Sequence, residues 1–224
     1  MDLINRGYID EFLTGIARCP ETAVMKEMRE VARRRELPVL RPAAAAFLNV
    51  LIQIRRPKVI LEVGTSIGYS GMVMLNAMGP SGHLTTVEME EDLLEAARGN
   101  FARQGVSERV TLIGGDAGDV LHYLEDPFDV IFLDGPKAQY LLYLPDCVRL
   151  LNSGGLLVCD DVLFYGMVAR DTLVRRRKIT IVKRMRKFLN AISSHPRLDT
   201  TIVPIGDGIS VSVKKEVFPS NEST

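Results

Sequence analysis

A doubly wound α/β domain built on a mostly parallel sheet is the fold that this sequence predicts, on three observations. Short runs rich in Val, Ile and Leu alternate five times with helical segments in the middle of the chain. The first run, Val59 to Val63, is apolar except for Glu62, which suits a strand buried on both faces of a parallel sheet. Gly64 and then a helical stretch starting at Gly68 follow it, and a strand, a glycine turn and a helix N-terminus together open a ligand crevice at the C-terminal end of a strand.

Taken in order, residues 2–17 and 21–35 are expected as two helices broken at Cys19-Pro20. Pro20-Glu21-Thr22 marks the second start, and Arg33-Arg34-Arg35 ends that helix. Pro38-Val39-Leu40-Arg41-Pro42 is an extended connector, and residues 43–54 form an alanine-rich helix suited to close packing. Strands are expected at 59–63, 83–88, 109–113, 128–134 and 156–160, the last preceded by Gly154-Gly155. Helices are expected at 68–78, 90–104, from 117 to 124 and at 139–151. After a basic helix at 180–194, the segments 200–203 and 209–213 flank Gly206-Asp207-Gly208, a hairpin signal. The hairpin adds two strands at one edge, at least one of them antiparallel, making seven in all. The expected organisation is N-terminal helices over 1–37, one α/β domain over 38–216, and a tail over 217–224 that is frayed from Phe218.

The chain has 224 residues, 46% of them hydrophobic, which fits one globular domain and excludes disorder as its main state. No apolar run reaches the roughly 18 residues of a membrane helix. The first residues lack the basic start and long apolar stretch of a signal peptide. Cys19, Cys147 and Cys159 are odd in number and lack metal-type spacing, so they read as reduced and mostly buried, and the expected location is the cytoplasm. Net charge is zero but unevenly spread. Residues 87–126 carry ten acidic against three basic side chains, and residues 170–187 carry nine basic against one acidic.

Strand C-termini of such a sheet point at one crevice. The acids there are Glu62 in the first strand, Glu88 ending the second, Asp116 after the third, Asp134 ending the fourth, and Asp160-Asp161 ending the fifth. A single strand-end acid often does no more than cap the next helix, but a series of them is harder to explain that way. The first loop has only Gly64 and Gly68, too few glycines for a pyrophosphate cradle, and so favours an adenosine ligand without phosphates. Glu88 lies 24 residues after Gly64, the interval at which a strand-end acid accepts hydrogen bonds from a ribose, and Asp116-Ala117 sits where an adenine edge can be read. Carboxylates suit ribose hydroxyls and a cationic ligand, and a sulfonium nucleoside meets both demands. Asp134, Asp160 and Asp161 form a second group whose mutual repulsion calls for a cation between them. With oxygen ligands only, that is a hard divalent ion, Mg²⁺ first, with Ca²⁺ or Mn²⁺ as alternatives. Lys137 lies three residues past Asp134. Beside a metal its pKa would be depressed and it can take a proton from an acceptor hydroxyl, although spacing alone equally allows a surface lysine.

The stretches E-V-G-T-S-I-G-Y-S, T-V-E-M, G-D-A, F-L-D-G-P-K-A-Q-Y and C-D-D-V-L-F-Y-G, in this order, resemble the S-adenosylmethionine-dependent O-methyltransferases of the caffeoyl-CoA and catechol type, from about Pro38 to Val213. The resemblance implies a Rossmann-like seven-stranded fold closed by a reversed hairpin, and a homodimer. It places Glu62, Gly64 and Ser70 at the methionine portion of the cofactor, Glu88 at the ribose, Asp116 and Ala117 by the adenine, and Leu40 on the cofactor as well. Asp134, Asp160 and Asp161 match the metal ligands, with Asp134 also at the cofactor and in catalysis, and Lys137 matches the proposed general base. Relatives often have Asn where Asp161 stands, so the extra charge bears on metal preference.

A narrower resemblance runs from D-D-V-L-F-Y-G through the Arg/Lys-rich segment to P-I-G-D-G-I-S-V-S, and is to the bacterial branch that methylates 5-hydroxyuridine in tRNA. Arg175, Arg176, Arg177, Lys178, Lys183 and Arg184, with Arg186, Lys187 and Arg33 to Arg35, are then candidates for RNA phosphates, against the plain reading of a solvated basic helix. Phe164, Tyr165 and Tyr140 are the candidate stacking aromatics. The competing readings are an O-methyltransferase for a small catechol or acyl-CoA phenolic substrate, and a nucleoside-binding regulator without catalysis. A nicotinamide oxidoreductase is disfavoured by the missing G-x-G-x-x-G.

Overall fold

The computed structural model describes residues 4–216, so the tail expected over 217–224 lies outside the described residues. Seven strands form one sheet: β1 (Val59–Val63), β2 (His83–Glu88), β3 (Val110–Gly114), β4 (Phe128–Leu133), β5 (Leu151–Cys159), β6 (Leu198–Val203) and β7 (Ile209–Lys214). Their order is β3-β2-β1-β4-β5-β7-β6. The first five are parallel, whereas β7 runs antiparallel to both β5 and β6. The chain winds outward from β1 to β3, then returns to β4 on the other side of β1. Winding therefore reverses between β1 and β4, the place where open α/β sheets bind ligands.

The helices are α1 (Gly7–Ile16), α2 (Ala23–Arg35), α3 (Pro42–Arg55), α4 (Tyr69–Met78), α5 (Glu91–Gln104), α6 (Ala117–Tyr123), α7 (Tyr140–Leu150) and α8 (Ile179–Ser193). Local chemistry sets their ends. Thr22 caps α2 by accepting a hydrogen bond from Met25 N at 3.3 Å. Pro42 opens α3, where its missing N–H costs nothing.

Side-chain alternation along the strands then builds two cores. In β4, Val130 and Phe132 pack with residues of α2 to α5, while Ile131 and Leu133 pack on the opposite face with α6 to α8. A small third cluster of Phe164, Met167 and Val182 pins the loop after β5 to α8.

Two expectations are corrected. Strand β5 starts at Leu151, not after Gly154-Gly155: the glycine pair lies inside the strand, and the pairing with β4 shifts register between Phe128 and Val130 to absorb it. Helix α1 begins at Gly7, with Arg6 as its N-cap. Among the described residues no helix is long and apolar enough to cross a membrane. The three cysteines are unpaired, with Cys147 and Cys159 buried.

Candidate active site

The turn after β1 is fixed by backbone packing. Gly64 has φ +99°, and a Cβ there would stand 2.7 Å from the carbonyl oxygen of Asp134. Its glycine is therefore demanded by the close approach of the β4 end as well as by the left-handed backbone of the turn. Gly64 N and Thr65 N both donate to Val87 O, at 3.0 and 3.2 Å. The Glu88 carboxylate holds the same turn. Its Oε2 accepts from Ser66 N at 2.8 Å, and its Oε1 from Met89 N and Glu90 N at 2.9 and 3.0 Å. Oε1 is thereby filled by two donors, while Oε2 retains a further lone pair for a ligand hydroxyl. Ser66 adopts φ +48°, and its buried Oγ has no partner among the described residues.

Glu62 is not in contact with the cavity that this turn lines. It is fully buried behind the wall, where Ser70 Oγ donates to its Oε1 and Thr86 Oγ1 to its Oε2, the latter at 2.6 Å. Thr65 Oγ1 extends the chain to Thr86 Oγ1 at 2.6 Å. Burial pushes the Glu62 carboxyl up to about 7 in spite of those hydrogen bonds. Glu62 thus stands one side chain back from the cavity, hydrogen-bonded to Ser70, which does line it.

That cavity, of about 680 Å³, lies over the β1–β4 reversal. Leu40, Gly64, Ser70, Glu88, Asp116, Ala117, Asp134, Lys137, Asp160 and Asp161 all border it. Asp116 also caps α6, with its Oδ1 accepting from Gly118 N at 2.8 Å. The connector 38–41 folds over one side, so Leu40 and Arg41 reach the cavity from the N-terminal region.

The carboxylates at the ends of β4 and β5 converge because neighbouring strands place them side by side. Asp134 N donates to Val63 O and Asp160 N to Leu133 O, each at 2.9 Å. One oxygen each from Asp134, Asp160 and Asp161 lies within 4.8 Å of the others. Lys137 Nζ is 2.6 Å from Asp134 Oδ1 and 3.4 Å from Asp161 Oδ2. Burial, then the Asp134 and Asp161 charges, raises Asp160 well above the usual carboxylate range. Burial raises Asp134 too, against the pull of Lys137. Burial also draws the lysine down, but the neighbouring Tyr140 phenol and the Asp134 and Asp161 carboxylates outweigh it and hold Lys137 well above its ordinary value. The depressed lysine expected from sequence belongs to a site that holds an ion, whose charge would oppose the ammonium. Three hard oxygen donors with no His or Cys among them fit a hard divalent ion.

The basic residues Arg175, Arg176, Arg177, Lys178, Lys183 and Arg184 are exposed. Two of them touch the site's surroundings: Lys178 Nζ lies 5.7 Å from the Phe164 ring centroid, and Arg184 reaches Ala138 O at 3.5 Å. Arg186 is committed instead to Val168 O at 2.8 Å, Met167 O at 3.1 Å and Asp171 at 2.7 Å. Of the three candidate stacking aromatics, Tyr140 is fully buried, its hydroxyl on Leu133 O at 2.9 Å, and so cannot stack on a base. Phe164 is nearly buried, and Tyr165 is open by 38%. Sequence reasoning passed over Ser66, Tyr69, Tyr143 and Asp207 on the cavity wall. Only Asp207 had a signal, its place between two turn glycines, and that spoke for a hairpin alone.

A glycine turn, a strand-end glutamate and a carboxylate cluster, gathered at the winding reversal of a parallel sheet, define the class of enzymes that hold a nucleoside beside a second reactant. Within it, this chain belongs to the O-methyltransferase family, whose model matches residues 16–215. A Mycobacterium ulcerans protein that carries a provisional O-methyltransferase name is 34% identical over 196 residues, 87% of this chain and 86% of that one. Among solved structures, the O-methyltransferase from Bacillus cereus in complex with S-adenosylhomocysteine superposes with TM-score 0.80 at 28% identity, covering 93% of this chain and 97% of that one. The Podospora anserina methyltransferase PaMTH1, also bound to S-adenosylhomocysteine, gives TM-score 0.83 at 25% identity, covering 93% and 94%.

Proposed function

We propose that this enzyme moves a methyl group from S-adenosylmethionine to a hydroxyl with the help of a divalent cation, and that the hydroxyl is that of 5-hydroxyuridine in tRNA, giving 5-methoxyuridine. The observation that carries the methyl-transfer reading is the convergence of Asp134, Asp160, Asp161 and Lys137 on the cavity that Glu88 and the Gly64 turn also border. Glu88 and Asp116 offer acceptors for ribose and adenine, and the surrounding negative charge favours a sulfonium over a phosphate-bearing ligand.

Asp134, Asp160 and Asp161 would hold the cation. When bound, it would acidify the acceptor hydroxyl and, by repulsion, lower the pKa of Lys137. Lys137 would take the acceptor's proton, and the acceptor oxygen would bond to the methyl carbon in line as its bond to sulfur breaks, releasing S-adenosylhomocysteine. Ser70, fixed by Glu62, and the turn fixed by Glu88 keep the donor in place, so most of the rate comes from positioning. An acceptor with two neighbouring oxygens suits such a site, as in a catechol or in a 5-hydroxyuracil with its O4 carbonyl.

The tRNA part of the proposal is supported by the exposed basic run that starts beside the loop after β5, with Lys178 over Phe164 and Arg184 at the carbonyl next to Lys137. A homodimer through the N-terminal helices belongs to the same reading, and α1 leaves Tyr8, Phe12 and Ile16 open by 62%, 64% and 53%. Mass spectrometry of tRNA nucleosides after incubation with methyl-labelled cofactor tests the acceptor. Label in 5-methoxyuridine is expected; label on an added catechol with none in tRNA would overturn the tRNA assignment and leave methyl transfer standing.

A further inference from the structure

The loop that carries Asp161 is built from unfavourable backbone. Asp161, Phe164 and Tyr165 have φ of +56°, +46° and +57°, a region that non-glycine residues adopt at a cost that surrounding structure must offset. What offsets it comes from the hairpin turn between β6 and β7. Val162 N donates to Gly208 O and Leu163 N to Asp207 O, both at 2.9 Å. Tyr165 N donates to both oxygens of the Asp207 carboxylate, at 2.6 and 2.8 Å. Leu163 packs so closely on Gly208 that a Cβ there would stand 2.4 Å from Leu163 Cγ. Asp207 is 6% exposed and borders the same cavity as Asp161 and Tyr165.

We infer that Asp207 is a positioning residue: by gripping Tyr165 N it holds the loop after β5 in its left-handed course, and so sets where Asp161 and Tyr165 stand on the acceptor side of the cavity. Charge alone argues against putting another carboxylate beside Asp134, Asp160 and Asp161. A hairpin needing only a turn would be served there by a neutral residue such as Asn. A carboxylate held by two charge-assisted contacts to one N–H instead fixes a neighbour's backbone. The strand register supports this: β7 pairs with β5, Cys159 facing Ser210, so the turn is delivered to the point where β5 ends and the loop begins.

The inference rests on the reading that the cavity holds a divalent ion. Its test uses the full chain and the variants Asp207→Ala and Asp207→Asn. Mn²⁺ affinity is read from the spin resonance of the free ion, S-adenosylhomocysteine affinity by calorimetry in chelator, and folding by thermal melting. Asp207→Ala is expected to weaken Mn²⁺ binding by about tenfold or more and to leave S-adenosylhomocysteine binding within about twofold, with Asp207→Asn, which keeps one acceptor oxygen, in between at about threefold. Mn²⁺ binding by Asp207→Ala equal to that of the unaltered chain would overturn the inference. So would equal losses of Mn²⁺ and S-adenosylhomocysteine affinity, which mark a merely structural role. Should Asp207→Ala not fold, Asp207→Asn decides in the same way: weaker Mn²⁺ binding alone supports the inference, and no change overturns it. If the unaltered chain binds no Mn²⁺, the parent reading fails and this inference fails with it; if that chain binds Mn²⁺ and the variants bind it equally well, this inference fails alone.

Discussion

At Glu62, a single buried carboxyl ties stability to pH. Its ordinary value near 4.5 is pushed up to about 7 by burial. The folded chain therefore binds this proton more tightly than the unfolded chain does. Its contribution to stability is fully present below pH 4.5 and is lost as pH rises to about 7. Against a Glu62→Gln variant, the unaltered protein should lose on the order of 3 kcal/mol between those pH values, read as the difference between urea unfolding curves at each pH. No such pH-dependent difference would mean that the carboxyl is hydrated. Gly64→Ala makes a second prediction. The methyl would meet the Asp134 carbonyl in a left-handed turn, so the melting curve should show a loss of about 3 kcal/mol or more, with ligand binding weakened in parallel. From the sequence, the acids and glycines could be picked out by type and interval. Which way each one faces could not. Glu62 and Ser70 differ only in whether they look into the cavity or behind it, and that depends on the packing of α4 against β1.

Among the elements, the segment leading into α8 carries the clearest prediction. Arg175, Arg176, Arg177 and Lys178 are exposed and lie next to the loop that bears Asp161. Replacing all four by Gln should weaken tRNA binding and lower the slope of log affinity against log salt by roughly three to four. Binding of S-adenosylhomocysteine should be unchanged. An unaltered salt slope would return this segment to the plain reading of a solvated basic surface. The long, strongly patterned elements were legible beforehand. The span of β2 from His83 to Glu88 and the antiparallel hairpin at the end followed from alternation and turn residues. The start of β5 did not, because Gly154-Gly155 signals a break wherever it stands, and only the register shift opposite Phe128 lets the strand run through it. Tyr140 escaped too: its ring and hydroxyl are consumed by Phe188, with centroids 5.4 Å apart, and by Leu133 O. That tertiary demand has no trace in local sequence.

For the whole molecule, the sheet order is what turns separate acids into one site. Asp134 and Asp160 are 26 positions apart in sequence, yet β4 and β5 are neighbours, so their following residues meet. The reversal at β1 and β4 brings the Gly64 turn and Glu88 to the same cavity. Alternating strands and helices made that convergence predictable in outline. The sharing of Lys137 between Asp134 and Asp161 was not, since spacing says only that the lysine is near. Asp160→Ala should therefore abolish methyl transfer while the chain still binds S-adenosylmethionine with nearly unchanged affinity, because Asp160 adjoins the carboxylate cluster and not the Gly64 turn. The most direct measurement is transfer of labelled methyl from S-adenosylmethionine to 5-hydroxyuridine-containing tRNA and to a catechol, in Mg²⁺ and in chelator, for the unaltered chain and for Asp160→Ala. Transfer in Mg²⁺ that disappears in chelator and in the variant is the predicted result. Undiminished transfer in chelator, or by Asp160→Ala, would contradict the account.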